Sequence, residues 1–154
     1  MKRKLLSTAL AVCLLSLHSF SQEINFRSAK EKEVNKKTLF SSAAERISIT
    51  TNQIQNLFSL PTGKGTSIRF AGNLQLVGQV VTNEQQPNLQ TFTMKCTNYP
   101  GALLTISKVT LQDGSVMYTG AILNHQSKDI IMLEKDDAGN YAWQKKNLSE
   151  LIQD

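Results

Sequence analysis

Cys96 and His125 are the side chains from which nucleophilic chemistry could be built, since a thiol needs a base to become thiolate and an imidazole can serve as that base. Nothing in the pattern orients one on the other. Cys96 follows Phe92 and Met94 on one parity of an alternating run, the place of a small buried hydrophobe, and His125 stands in a polar turn. A metal site needs several converging His, Cys, Asp or Glu ligands, and this pair supplies only two. Asp136 and Asp137 are adjacent on a turn and project differently, while Asp129 lies beside an apolar run without a second carboxylate paired to it. There is no Gly-x-Ser-x-Gly elbow, His-Glu-x-x-His helix or Cys-x-x-Cys pair. Gly63-Lys64-Gly65 resembles part of a phosphate-binding loop but fails on detail. Phe58 stands where the first glycine is needed, and Gly65 where Ser or Thr must follow the lysine. The expectation is a protein that is not an enzyme and carries no cofactor and no metal.

Binding is the remaining kind of chemistry. Tyr141, Trp143 and Lys145 share one parity, so a strand there would carry two aromatic rings and a cation on one face, with Lys146 beside them. Trp and Tyr are common interface anchors, which makes this trio the candidate binding surface, for a protein or a small ligand. The competing reading is that both rings are core and only the strand end is charged.

The chain opens with Met1-Lys2-Arg3-Lys4, then a mainly apolar run from Leu5 to Leu17, then Ser19-Phe20-Ser21 before Gln22. That order of basic, apolar and small residues predicts a secretory signal peptide over residues 1–21, cut after Ser21. A run of about 13 residues is short of the about 20 that a spanning helix needs. An exported protein, periplasmic or extracellular, without a membrane span after processing, is therefore expected. Removal of residues 1–21 leaves 14 basic residues against 12 acidic ones, a balance of +2 where the whole chain has +5. So small an excess gives no argument for nucleic acid or an anionic membrane as partner. It also removes Cys13, so no intramolecular disulfide is possible in the processed chain. The 133 residues left from 154 suit one domain with one core.

Residues 22–45 are mostly polar and charged and predict a mobile segment, with Leu39-Phe40 and Ala43-Ala44 as a possible first anchor. Residues 46–154 read as a single β-rich domain. Arg46 to Thr50 alternates as a short strand should. Thr51 and Asn52 are plausible caps for a two-turn helix near 52–59, which Pro61 and Gly63 stop. Further strands are expected at 66–70, 73–82, 89–97, 102–111 and 140–146. Asp113-Gly114 marks a hairpin turn, and a short turn of helix is expected from Ser149. The strongest signal is 115–133, two apolar runs joined by a polar turn, a hairpin at the centre of the core. The fold class is mainly β, a small antiparallel barrel or sandwich of about 7–8 strands with one short helix.

Two stretches echo each other at an offset of 42 residues, with Gly78 and Gly120 in register inside strands. Glycine within a strand marks a bulge, a bend or a close backbone approach, so both are expected bending points of a curled sheet. In the C-terminal third, Tyr118-x-Gly120-x-Ile122, then the Ser-bearing apolar run from Ser127 to Leu133, then Gly139-x-Tyr141, come in an order that resembles the propeptides of reprolysin-type secreted zinc proteases over about 40 residues. The resemblance implies a β-rich module that inhibits a protease, in that family commonly through a cysteine ligating the zinc. Cys96 precedes the hairpin instead of following it and lacks the flanking Pro and Gly, so the zinc-blocking role is carried to no residue here. The leading expectation is an exported, non-catalytic binding or accessory protein of the cell envelope or exterior. A propeptide-like or inhibitory module acting on a secreted protease is the alternative.

Overall fold

Apolar and polar residues alternate along most of the chain from Arg46 onward, and these runs form strands. The computed structural model describes residues 37–152. Its eight strands are β1 (Arg46–Ile49), β2 (Gly65–Arg69), β3 (Gln75–Gln85), β4 (Leu89–Cys96), β5 (Leu103–Thr110), β6 (Val116–Leu123), β7 (Asp129–Lys135) and β8 (Tyr141–Asn147). One α-helix, α1 (Thr51–Leu57), lies between β1 and β2, and a turn of 3-10 helix, Leu148–Ile152, follows β8. The mainly β class with one short helix is as expected. The expected signal peptide and the first part of the polar segment fall outside the described residues, among which no helix is long and apolar enough to cross a membrane.

All pairings between strands are antiparallel and build one sheet in the order β1-β8-β7-β6-β5-β4-β3-β2. From β2 to β8 the chain is a meander, and β1 adds to the far side of β8. The sheet curls into a half-barrel around its apolar face, with Phe92, Leu104, Ile106, Ile122 and Trp143 at zero exposure. β1 and β2, neighbours in sequence, are the two edges of the sheet, so the chain between them has to cross its open side. That crossing is α1, which buries Ile54 and Leu57 against the core.

The helix starts one residue earlier than the sequence suggested. Thr50 is the N-cap, because Gln53 completes a reciprocal capping box with it: the Gln53 amide donates to Thr50 Oγ1 (3.2 Å), and the Thr50 amide donates to Gln53 Oε1 (2.9 Å). At one end the two edges nearly meet. The Ala44 amide donates to the Gly72 carbonyl at 3.2 Å, and Phe70 from the end of β2 packs edge-on against Trp143 of β8 with centroids 5.8 Å apart.

Gly78 on β3 and Gly120 on β6 lie on the concave parity, where neighbouring strands crowd each other. A Cβ on Gly78 would stand 2.1 Å from the Lys95 carbonyl oxygen, and one on Gly120 would stand 2.7 Å from that of Thr105. The register runs unbroken through both glycines, so neither is a bulge; what they share is that the next strand's backbone occupies the space of a side chain. The register shift of β3 falls between Val80 and Thr82, just beyond Gly78.

Residues 37–45 correct the expected boundary at 46. Phe40 and Ala43 are core residues, and Asp129 holds the segment that carries them. The buried Asp129 carboxylate accepts from the amides of Leu39 (2.8 Å) and Phe40 (2.8 Å) and from the Ser127 hydroxyl. Charge-assisted bonds of this kind outlast the segment's polar composition. The compact unit accordingly runs over Asn35–Asp154. Asp129→Ala is expected to lower the unfolding free energy by about 3 kcal/mol or more, from two hydrogen bonds to a charged group at about 1.5–3 kcal/mol each. Gly78→Ala should cost about 1–3 kcal/mol, since the opposing atom is backbone and cannot swing aside. Urea unfolding of both variants measures these losses.

Candidate functional site

β8 lies between β7 and β1, and its odd-numbered residues face the concave interior. Of the expected binding surface, Tyr141 and Trp143 are for that reason core, and Lys145 is half-buried beside them. Trp143 is fully buried, and its indole N–H is the buried side-chain donor without a hydrogen-bond partner among the described residues. The Tyr141 hydroxyl accepts from the Tyr118 amide (3.0 Å), and their rings meet edge-on at 5.6 Å. Lys145 folds back to Glu45 (2.6 Å) and to the Ala43 carbonyl (3.2 Å), bracing the segment before β1.

Cys96 also faces inward, at 2 % exposure, and burial pushes its thiol up to about 11. His125 is exposed in the β6–β7 turn. The thiol is thus in the core, and the imidazole is at the surface in a turn. Among the described residues no three His, Cys, Asp or Glu side chains converge as a metal site requires.

The structure places an open groove elsewhere, between α1 and the edge strand β2. Its volume is about 290 Å³. Gln53, Asn56, Leu57 and Leu60 form one wall, and the other is the run from Thr66 to Phe70. The helical wall is fixed from below: Asn83 on β3 donates through Nδ2 to the carbonyls of Phe58 (2.7 Å) and Leu60 (2.9 Å). Gln79 likewise donates to the Gly63 carbonyl (2.8 Å), pinning the loop that enters β2.

Among the described residues nothing pairs with the outer edge of the strand wall. Val80 donates to the Lys64 carbonyl and Phe70 donates to the Leu74 carbonyl, so even-numbered residues of this run turn their backbone groups toward β3. In an antiparallel ladder the alternate residues turn theirs away, which sends the N–H and C=O of Gly65, Ser67 and Arg69 outward from the sheet. Neither a proline nor a bulge interrupts β2, two of the usual devices that protect an edge. The lining residues include one cation, Arg69, with amides, hydroxyls and apolar side chains, and no carboxylate, thiol or imidazole. Such a site can bind by main-chain hydrogen bonds and apolar contact.

Sequence reasoning missed this groove because edge position depends on strand order, which local alternation does not encode. The available signal was the brevity of β2, flanked by Gly63-Lys64-Gly65 and Ala71-Gly72. Compared with known proteins, the chain matches no family model, no curated protein and no solved structure.

With its pKa near 11, Cys96 is thiolate in about one molecule in a thousand at pH 8. An aromatic disulfide reagent at that pH is expected to leave the folded protein unlabelled and to titrate one thiol per processed chain after unfolding in guanidinium. Labelling of the native protein within minutes would contradict the burial.

Proposed function

We propose that the chain is an exported, non-catalytic β-rich binding module of the cell envelope or exterior that takes up an extended polypeptide segment along β2. The observation that carries this reading is the free edge of β2 running beside a groove. A bound strand would pair its backbone with the outward groups of Gly65, Ser67 and Arg69. Its alternate side chains would enter the groove against Leu57, Leu60 and Ile68. Gln53 and Asn56 offer amides for polar contacts, and Arg69 favours a segment bearing a carboxylate. Export rests on the basic and apolar leader over residues 1–21.

A second reading is favoured by where the propeptide-like segments lie. They fall on β6, β7 and β8, three consecutive and adjacent strands, as a β-rich inhibitory module would have them. Burial of Cys96 removes thiol ligation of zinc from that reading, so inhibition would have to act by surface contact. Dose-dependent loss of activity of a co-secreted zinc protease on adding the protein would support it.

The test of the main reading is a panel of extended peptides of about eight residues, apolar at alternate positions and with or without an acidic residue, titrated by fluorescence anisotropy. Micromolar binding is expected, weakened at least about tenfold, or 1.4 kcal/mol, by Ser67→Pro. That substitution removes an outward N–H and leaves the ladder to β3 intact, so the melting temperature should hold. Binding indifferent to Ser67→Pro, or none to any peptide, would overturn the reading.

A further inference from the structure

The outer face of the sheet over β4, β5 and β6 carries a pattern that the edge does not explain. Inward positions on these strands are Phe92, Met94 and Cys96, then Leu104 and Ile106, then Tyr118 and Ile122. The residues between them point outward, and the strand registers align these in four cross-strand rows. The first row is Leu89, Val109 and Met117, all apolar. The second is Thr91, Ser107 and Thr119, and the third is Thr93, Thr105 and Ala121. The fourth is Lys95, Leu103 and Leu123. Hydroxyls in the middle rows approach one another, Thr91 and Ser107 at 3.4 Å and Thr93 and Thr105 at 3.5 Å. Twelve outward positions therefore hold a single charge, while Leu89, Leu103 and Met117 are 37 %, 38 % and 42 % exposed.

That depletion is local. On the same outer face over β7 and β8, Glu134 and Lys146 form an ion pair, as expected where a sheet meets water. An exposed face with a single charge and apolar rows at both ends marks an interaction surface.

We infer that this face packs against the same face of a second copy of the chain, forming a twofold dimer. The order of the rows, apolar, hydroxyl, hydroxyl, apolar, reads the same in both directions. A twofold axis lying across the strands between the second and third rows lays Val109 on Leu103, Met117 on Leu123, Ser107 on Thr105 and Thr91 on Thr93. Four of the six pairs match in kind, Thr119 meets the small Ala121, and this near self-complementarity is what an isologous contact demands. Lys95 comes over Leu89, which its methylenes can cover while the ammonium reaches solvent. The two Lys95 charges fall at opposite ends of the patch, about 20 Å apart at two residues of ~3.4 Å per row. That exceeds the screening length of about 8 Å, so they do not oppose association.

Size sets the strength. Four rows across three strands ~4.8 Å apart cover roughly 400 Å² in projection, and flanking side chains of β3 and β7 bring the total buried from both copies to about 1,000 Å². That is the lower bound of a specific interface, so a dimer of micromolar affinity is expected.

Sedimentation velocity of the protein as exported tests the inference. From about 1 to 100 µM the mass should rise from one chain toward two, as mass action requires of a micromolar dimer. Thr105→Arg puts a cation beside the axis on each copy and should weaken association at least about tenfold, equivalent to 1.4 kcal/mol. Met117→Glu is the second variant at a row end, with far-ultraviolet circular dichroism and melting temperature confirming that each folds. Ser67→Pro, at the β2 edge, should leave the dimer unchanged. A monomer at about 100 µM overturns the inference. So does a dimer that survives folded variants at both Thr105 and Met117, or one that Ser67→Pro abolishes, since that assembly would run through the edge and not the face.

Discussion

A sheet that curls but stops short of closing has two free edges and an interior open to water along the gap between them, and the packing of α1 into that gap is the contact on which the rest of the molecule depends. Ile54 and Leu57 complete the apolar filling that the eight strands leave unfinished. A helix of seven residues has little stability of its own in water. Thr50, the residue directly after β1, therefore has to be an effective cap, and Asn83 has to hold the helix exit to β3. Because the same short segment links the two edges of the sheet, the geometry of the groove is fixed by the elements that fill the core. Groove and fold share their supports.

The same filling accounts for the fate of the groups that looked reactive. Two polar side chains inside the curl have structural partners: the Asp129 carboxylate takes two amides, and the Tyr141 hydroxyl takes one. Cys96 has no cation beside it to stabilise a thiolate, and burial acts in the opposite direction. Asp129 and Tyr141 each hold a distant part of the chain in place, a structural use of their polar atoms.

Strand positions were legible because alternation is a local property. The runs expected at 89–97 and 102–111 became β4 and β5 with ends shifted by one residue, and the Asp113-Gly114 turn and the central hairpin lie where the residues suggested. The second arm of that hairpin, apolar on both parities, is buried at Ile130, Ile131 and Leu133. What alternation leaves undetermined is which face is inside. Tyr141-x-Trp143-x-Lys145 has the parity of a surface with aromatic anchors and equally that of a core strand ending at solvent. The choice was made by β1 pairing to β8 from nearly a hundred residues earlier. The polar segment before Arg46 was misjudged for a related reason. Its own composition is unfavourable to burial, and the partner that orders it, Asp129, lies about ninety residues away.

A β-strand offers its surroundings two independent sets of groups. Peptide N–H and C=O lie in the plane of the sheet, and side chains stand perpendicular to it. In the interior of a sheet the first set is consumed by neighbouring strands, so β4, β5 and β6 can recognise a partner only through side chains. β2 keeps half of its peptide groups free and can recognise one through its backbone. The residue choices follow this division. Gly65 and Ser67 are small where a backbone must be approached closely, while the outer positions of β4, β5 and β6 carry threonine and aliphatic side chains arranged by row. Because the two sets are orthogonal, a strand docking at the edge and a sheet docking on the face would not compete for the same atoms. One curled sheet can therefore present two surfaces of different chemistry without enlarging its core.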